Sequence, residues 1–484
     1  MKEGYLKKED RKKILLLTDD IRVHSGVAQI GREMVIHTSH HYNWVQLAGA
    51  VSHPEKGKRI DISLDNNKQA NIDDSSVILY PTDGYGNPDI LKSIIEIEKP
   101  DAIFLITDPR YFTWLFQMEN QIRKSIPIIY LNIWDSMPAP MYNKEFYESC
   151  DALFGISKQT VGINQIVLGE KAEDKIIKYV PHGLNHKMFK PIPKTDKELQ
   201  EFKKYISRGK EYNFTLLFNS RNIRRKSISD TILAWKLFID KLPKEEADKC
   251  LFVLHTEPIS DHGTDLGAVI EYFFPDEEPN IVISNEKLST EKMNLLYNNA
   301  DGVILISSAE GWGLSLTESL LTGTPIIANT TGGMQDQMRF EYDMDEGPGV
   351  KKGEWINFDK DFPSNHRGTY KKHGEWALPI YPTNLSIVGS PQTPYIYDDK
   401  ASFEDASNRI MELYKMGDEK RKKIGKSGME WALSDEAGFT SEKMSGRIIE
   451  GIDELFDTWK PRAKFEFLKD TDFQKRTLKH EIIY

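Results

Sequence analysis

The densest chemical signal lies at residues 307–333, SSAEGWGLSLTESLLTGTPIIANTTGG. Glu310 and Glu318 stand eight residues apart there, with Gly311, Trp312 and Gly313 directly after the first. The apolar run GVILI at 302–306 reads as a buried strand, so Glu310 is expected on the loop at its carboxyl end. Gly311 and Gly313 allow close approach of the backbone to a ligand. A helix is expected to open at Leu314 or Ser315. Its first amides lack partners within the helix and favour an anion such as a diphosphate, by about 0.3–1 kcal/mol, or about 2 when partly buried. Glu318, about one turn inside, is placed to accept hydrogen bonds from ligand hydroxyls. The segment FNSRNIRRK at 218–226 supplies cations: Arg221 and Lys226 in R-x4-K spacing, with Arg224 and Arg225 between them. A departing diphosphate gains negative charge as its bond breaks, and fixed cations aimed at that charge lower the barrier. Each charged hydrogen bond of this kind contributes roughly 1.5–3 kcal/mol. Taken alone, either feature has a plainer reading, as solvated glutamates at a helix start or as a solvated basic face.

The whole strand–EGWG–helix–TGTP–strand–GG run resembles the E-x7-E element of the GT-B glycosyltransferases, particularly the large retaining group 4 (glycosyl transferases group 1) family. The resemblance implies that Glu310 and the amides of Gly311, Trp312, Gly313 and Leu314 hold the donor sugar, and Glu318 the ribose. It implies that Arg221 and Lys226 clamp the donor diphosphate, which makes Glu310, Arg221 and Lys226 the residues tied to catalysis. Ser25-Gly26-Val27, after the strand ILLLT at 14–18, matches the loop whose glycine approaches the donor phosphates or acceptor, although a turn alone would also explain an SG pair. The segment YVPHGLNHKMFKP at 179–191 matches the family's turn out of the first half through Pro181, His182, Gly183, Phe189 and Pro191. Leu184 and Asn185 depart from that pattern. We read this segment as architecture, not as a catalytic histidine.

These residues need elements to position them. Apolar runs at 14–18, 75–80, 102–107, 126–132 and 152–156 alternate with amphipathic stretches, and a second series occupies 214–218, 250–255, 281–284, 302–306 and 325–328. Near-continuous apolar strands separated by helices indicate parallel sheets covered on both faces. The expected fold is α/β, GT-B: two Rossmann-like doubly wound domains facing across a cleft at their strands' carboxyl ends. The halves are expected at residues 1–200, acceptor-side, and 201–437, donor-side, with an irregular insertion at about 335–400. Helices from about 438–484 return to the first half, and few crossings between halves predict hinge closure over the donor.

Where many family members carry a histidine that contacts the donor sugar, this sequence reads FLITDPRYF, offering Asp108 or Arg110 instead. Asp108 reads equally well as a helix cap. Asp83 and Tyr85 in TDGYGNPD, and Trp134 and Asp135 in NIWDSMPAP, are further acceptor or sugar candidates, with Trp134 also readable as core. Asp343 with Asp345, and Asp359 with Asp361, spell D-x-D in the insertion, away from any expected strand end. The resemblance implies no essential metal and no cofactor beyond a nucleotide-diphosphate sugar as co-substrate.

The reading is a retaining glycosyltransferase acting on a glycan or lipid-linked sugar. The alternatives are a phage-type enzyme that glycosylates a modified base in DNA, a GT-B sugar-nucleotide epimerase, and a non-catalytic sugar-nucleotide binder. The DNA alternative rests on cations interleaved with aromatics in the insertion: Arg339, Lys351, Lys352, Arg367, Lys371, Lys372 and His373 with Trp355, Tyr370 and Trp376. The net charge of -10 disfavours a chain whose whole surface is a nucleic-acid footprint. No run of apolar residues is long enough to span a bilayer, and a charged first segment with only two cysteines suits the cytoplasm, of the host if the gene is a phage's. Peripheral membrane contact and oligomerisation stay open.

Overall fold

The computed structural model describes residues 4–275, 279–346 and 349–462. The first half is an eight-stranded sheet in the order β3-β4-β2-β1-β5-β6-β7-β8. Its strands are β1 (Lys12–Asp19), β2 (Tyr42–Gly49), β3 (Ile60–Asp61), β4 (Val77–Pro81), β5 (Ala102–Ile106), β6 (Ile128–Asn132), β7 (Ala152–Gly155) and β8 (Ile176–Tyr179). All pairs are parallel except β3–β4. The second half is a parallel sheet in the order β11-β10-β9-β12-β13-β14. It comprises β9 (Phe214–Asn219), β10 (Cys250–His255), β11 (Ile281–Ser284), β12 (Gly302–Leu305), β13 (Ile326–Asn329) and β14 (Ala377–Ile380). In both sheets the order reverses beside the first strand, which opens the crevice where doubly wound folds bind ligands.

Several strands fall outside the expected apolar runs, β2 and β14 among them. β2 lies next to β1, yet its sequence, YNWVQLAG, is broken by polar residues. Gln46 is buried because its amide donates to the Asp19 carbonyl (2.7 Å) and accepts from the Ile21 amide (3.3 Å). β14 falls inside the expected insertion and forms the edge of the second sheet. An antiparallel hairpin follows, β15 (Asn384–Ser390) and β16 (Thr393–Lys400). The rest of the insertion is packed structure: Ile356, Phe358 and Tyr370 are buried, and Trp376 stacks on Trp431 at 4.9 Å.

The last described helix, Ser441–Thr458, lies on the first half. Ser441 donates to Glu33 (2.7 Å) and Tyr42 to Asp453 (2.6 Å). The tail beyond residue 462 lies outside the described residues. The halves are joined at more places than expected. Asp336 accepts from the Lys158 amide and the Tyr179 hydroxyl (both 2.9 Å), Lys158 donates to the Ile356 carbonyl (2.6 Å), and the hairpin also reaches the first half. Among the described residues no helix is long and apolar enough to cross a membrane.

Candidate active site at the sheet ends

Glu310 sits on the loop after β12, as the sequence indicates, and is buried. Its carboxylate receives the Lys226 ammonium and the Arg225 guanidinium, the latter at 3.4 Å. Burial alone would favour the neutral acid, but the two cations outweigh it and hold Glu310 below the usual carboxylate range. Desolvation pulls the buried Lys226 ammonium down, and the Glu310 charge opposes that fall. A buried carboxylate between two cations keeps its charge, so we take the group as an ion pair. Arg225 also reaches toward Asp135 of the first half, 4.0 Å away.

Glu318 lies in the helix Leu314–Leu321 under different conditions. It accepts from the Tyr297 hydroxyl (2.5 Å) and from Asn219 (3.5 Å), both neutral donors. Burial raises its carboxyl to about 7, against the pull of those hydrogen bonds. Asn219 ends β9, inside the basic segment read from sequence; Tyr297 comes from the helix Thr290–Asn298, and no local pattern marks it.

The loop between the glutamates is held by close backbone approaches. Gly313 has φ +85° and caps the helix. A Cβ on Gly311 would lie 2.9 Å from the Ile133 carbonyl of the first half. Gly332, at φ +52°, lies against the Glu310 carbonyl, which accepts from the Gly333 amide at 3.1 Å. The amides of Trp312, Gly313 and Leu314 donate to no protein acceptor among the described residues. Together with the helix start they form an anion-favouring corner. The Trp312 side chain is not part of it: the ring is buried against Phe439, and its N–H donates to Thr317 (2.9 Å). Only the Trp312 backbone faces a ligand role.

Arg221 is exposed on the loop after β9, and its side chain makes no hydrogen bond or ion pair among the described residues. That loop is fixed by the buried Asn222, which donates to the carbonyls of Glu257 (3.2 Å) and Thr264 (2.7 Å). Across the cleft, Gly26 opens the helix Gly26–Thr38, capped by Ser25. A Cβ on Gly26 would lie 3.4 Å from a Leu314 methyl, so the first-half loop meets the donor-side helix start.

The first-half candidates divide. Tyr85 donates to Asp19 (2.9 Å), which also receives Ser25 (2.6 Å), at the cleft end of β1. Asp83 is turned to the exposed Lys56 (2.6 Å) and the His53 amide, away from that cluster. Asp108 is a cap, accepting from the Arg110 amide (3.0 Å), and it also pairs with the Arg110 guanidinium. Trp134 is largely buried, its N–H donating to the Ser136 carbonyl (2.8 Å). Asp108, Arg110, Trp134 and Asp135 nonetheless line one cavity of about 450 Å³. His182 is buried and pushed down to about 3 by desolvation, which keeps it neutral and structural. Of the D-x-D pairs, Asp359 accepts the Asp361 and Phe362 amides (both 2.8 Å) and Asp345 accepts the Lys352 amide (2.9 Å). Both act as turn caps.

Residues 280–344 match the family model described as glycosyl transferases group 1. The segment contains both glutamates. Three solved structures share the architecture across nearly the whole chain. Sucrose-phosphate synthase from Thermosynechococcus elongatus is 14% identical with TM-score 0.61, covering 93% of this chain and 100% of that one. HepE of Anabaena, solved with UDP and glucose, is 14% identical with TM-score 0.60, covering 92% and 100%. An E. coli structure described as trehalose-6-phosphate bound with UDP-2-fluoro glucose is 9% identical with TM-score 0.62, covering 93% and 100%.

The chain has the GT-B fold.

A search of curated protein sequences finds no match. Within this GT-B chain the matched segment ends before β14 and the hairpin.

Proposed function

We propose that the protein moves a sugar from a nucleotide-diphosphate sugar to an acceptor hydroxyl with retention at the anomeric carbon. The observation that carries the reading is the pairing of two unlike carboxylates around one helix start: Glu310 ionised between cations, and Glu318 among neutral hydrogen-bond donors. The helix start and Arg221 offer the charge complement of a diphosphate, Glu318 an acceptor for ribose hydroxyls, and Gly26 a bare wall opposite. Lys226 orients Glu310 toward the donor sugar. The UDP complex of HepE makes UDP the first nucleotide to try.

In this reading the second half carries the donor and the first half the acceptor. Fixed cations and amides neutralise the leaving diphosphate, which itself accepts the acceptor proton, so no metal is assigned a role. The reaction belongs in the cytoplasm, whose reducing state suits the two buried free thiols, Cys150 and Cys250.

The DNA alternative loses its structural motivation. Tyr370 and Trp376 are buried, Trp355 packs against Trp431 and Phe439, and Lys371 lies over Tyr381 at 3.7 Å. The interleaved aromatics are a core pattern and offer no platform for a base.

The test replaces Arg221 and Glu310 separately by Ala and follows turnover of UDP-glucose and related donors. Both variants are expected to lose turnover; retained activity in both removes this site.

A further inference from the structure

The hairpin β15–β16 lies beyond the matched segment, and its contacts join the two halves. Its root is fixed in the donor half. The Asp399 amide donates to the Ser308 carbonyl (3.0 Å), the Asn329 amide group to the Asp399 carbonyl (2.7 Å), and the Thr331 hydroxyl to the Asp399 carboxyl (2.5 Å). Its second strand leans on the first half. The Tyr397 amide donates to the Met137 carbonyl (2.5 Å), the Tyr142 hydroxyl to the Tyr395 carbonyl (3.0 Å), and Arg110 to the Gln392 carbonyl (3.2 Å) and the Thr393 hydroxyl. One element thus starts beside the Glu310 loop and ends on the loops after β5 and β6.

Between hairpin and first half lies the cavity of about 450 Å³, walled by Asp108, Arg110, Trp134 and Asp135 on one side and by Ser390 and Thr393 on the other. It adjoins the donor loop. Ile133 lines the cavity and its carbonyl abuts Gly311, while Asp135 stands 4.0 Å from Arg225. The volume falls in the range of small-molecule sites, about 300–1,000 Å³. Carboxylates and hydroxyls suit the hydroxyls of a neutral ligand, an indole suits its apolar face, and the two aspartates, one of them already paired with Arg110, leave no net positive charge for a phosphate backbone.

We infer that the hairpin completes an acceptor pocket for a neutral saccharide unit, so that the donor half itself supplies one wall of the acceptor site. The inference rests on the sugar-transfer reading for its meaning, but binding tests it independently. The full-length protein is titrated by calorimetry with UDP, and by saturation-transfer NMR with methyl glucoside, galactoside and mannoside. The same titrations are made on Ser390→Trp, whose indole fills the cavity. The expected result is saturable binding of at least one hexoside by the unaltered protein and a loss of about tenfold or more in Ser390→Trp, with UDP affinity within about twofold. UDP binding shows that the variant folds. Hexoside binding unchanged in Ser390→Trp, or absent from the unaltered protein, overturns the inference and leaves the transfer reading standing. Absence of UDP binding counts against UDP as the donor nucleotide, while the hexoside titration still decides on the pocket.

Discussion

Glu310 and Glu318 are eight residues apart on one loop and helix, both are buried, and their surroundings are opposite. Glu310 is met by two cations and kept ionised. Glu318 is met by a hydroxyl and an amide, and burial lifts it to about 7. Burial alone does not set a carboxyl's state; the charge of its partners does. The loop end of this unit is therefore an ionic structure that fails if one partner goes. The helix end is a neutral network that tolerates a proton.

The largest effect follows from breaking the ionic end. Lys226→Ala leaves Glu310 buried with only the half-exposed Arg225 to balance it. Removing one member of a buried pair costs about 3–5 kcal/mol, read as a shift of the urea midpoint. The Lys226→Met, Glu310→Gln double variant removes both charges and is expected to recover most of that loss. A double variant no more stable than Lys226→Ala would show that the pair is not what holds the loop.

Arg221 sharpens the contrast because it is a cation of the same segment whose side chain has no partner among the described residues. Arg221→Ala is expected to change stability by less than about 0.5 kcal/mol. It is expected to weaken nucleoside diphosphate binding roughly ten- to a hundredfold, the worth of a charged hydrogen bond. Calorimetry with UDP and a denaturation curve on the same sample separate the two. Equal losses in stability would make Arg221 structural.

That division explains what the sequence could disclose. Glu310, Glu318, Arg221 and Lys226 are legible because they fall in short runs bound to a strand end and a helix start, where local spacing fixes position. Tyr297 is not, since it reaches Glu318 from a helix in which it reads as one more apolar residue. β2 escaped because Gln46 looks solvent-facing, and only tertiary hydrogen bonds make it a buried residue. The hairpin escaped for the opposite reason. β15 is largely exposed, Ile387 and Val388 included, so no alternation of buried and solvent-facing residues marks it. Trp355 and Trp376 misled because an aromatic between lysines reads alike in a nucleic-acid platform and in a core lined by long cationic side chains.

At the neutral end the comparison becomes a pH dependence. An unfolded glutamate ionises near 4.3, whereas Glu318 in the fold holds its proton to about 7. Between those values the folded state carries the extra proton. The Glu318 contribution to stability therefore falls as pH rises and levels off above 7. Glu318→Gln removes that slope, so the stability difference between variant and parent should grow in the variant's favour from pH 4.5 to 7. A difference flat with pH would mean that Glu318 is ionised throughout. Ribose binding should run the other way, improving as the carboxylate forms.

The smallest effect belongs to the first-half loop that meets the start of the Glu318 helix. A methyl at Gly26 would meet only a Leu314 methyl, 3.4 Å away at the end of a side chain able to turn. Gly26 is also the first residue of a helix, where Ala is no worse than Gly in φ and stiffens the unfolded chain. Gly26→Ala should hold stability within about 0.5 kcal/mol. Its effect is then confined to ligand space: UDP affinity should fall by less than about tenfold if the bound diphosphate fills the gap opposite Leu314, about 1.4 kcal/mol at most. Unchanged affinity would detach the first-half loop from the donor and leave Arg221 and the helix start to hold the diphosphate from one side.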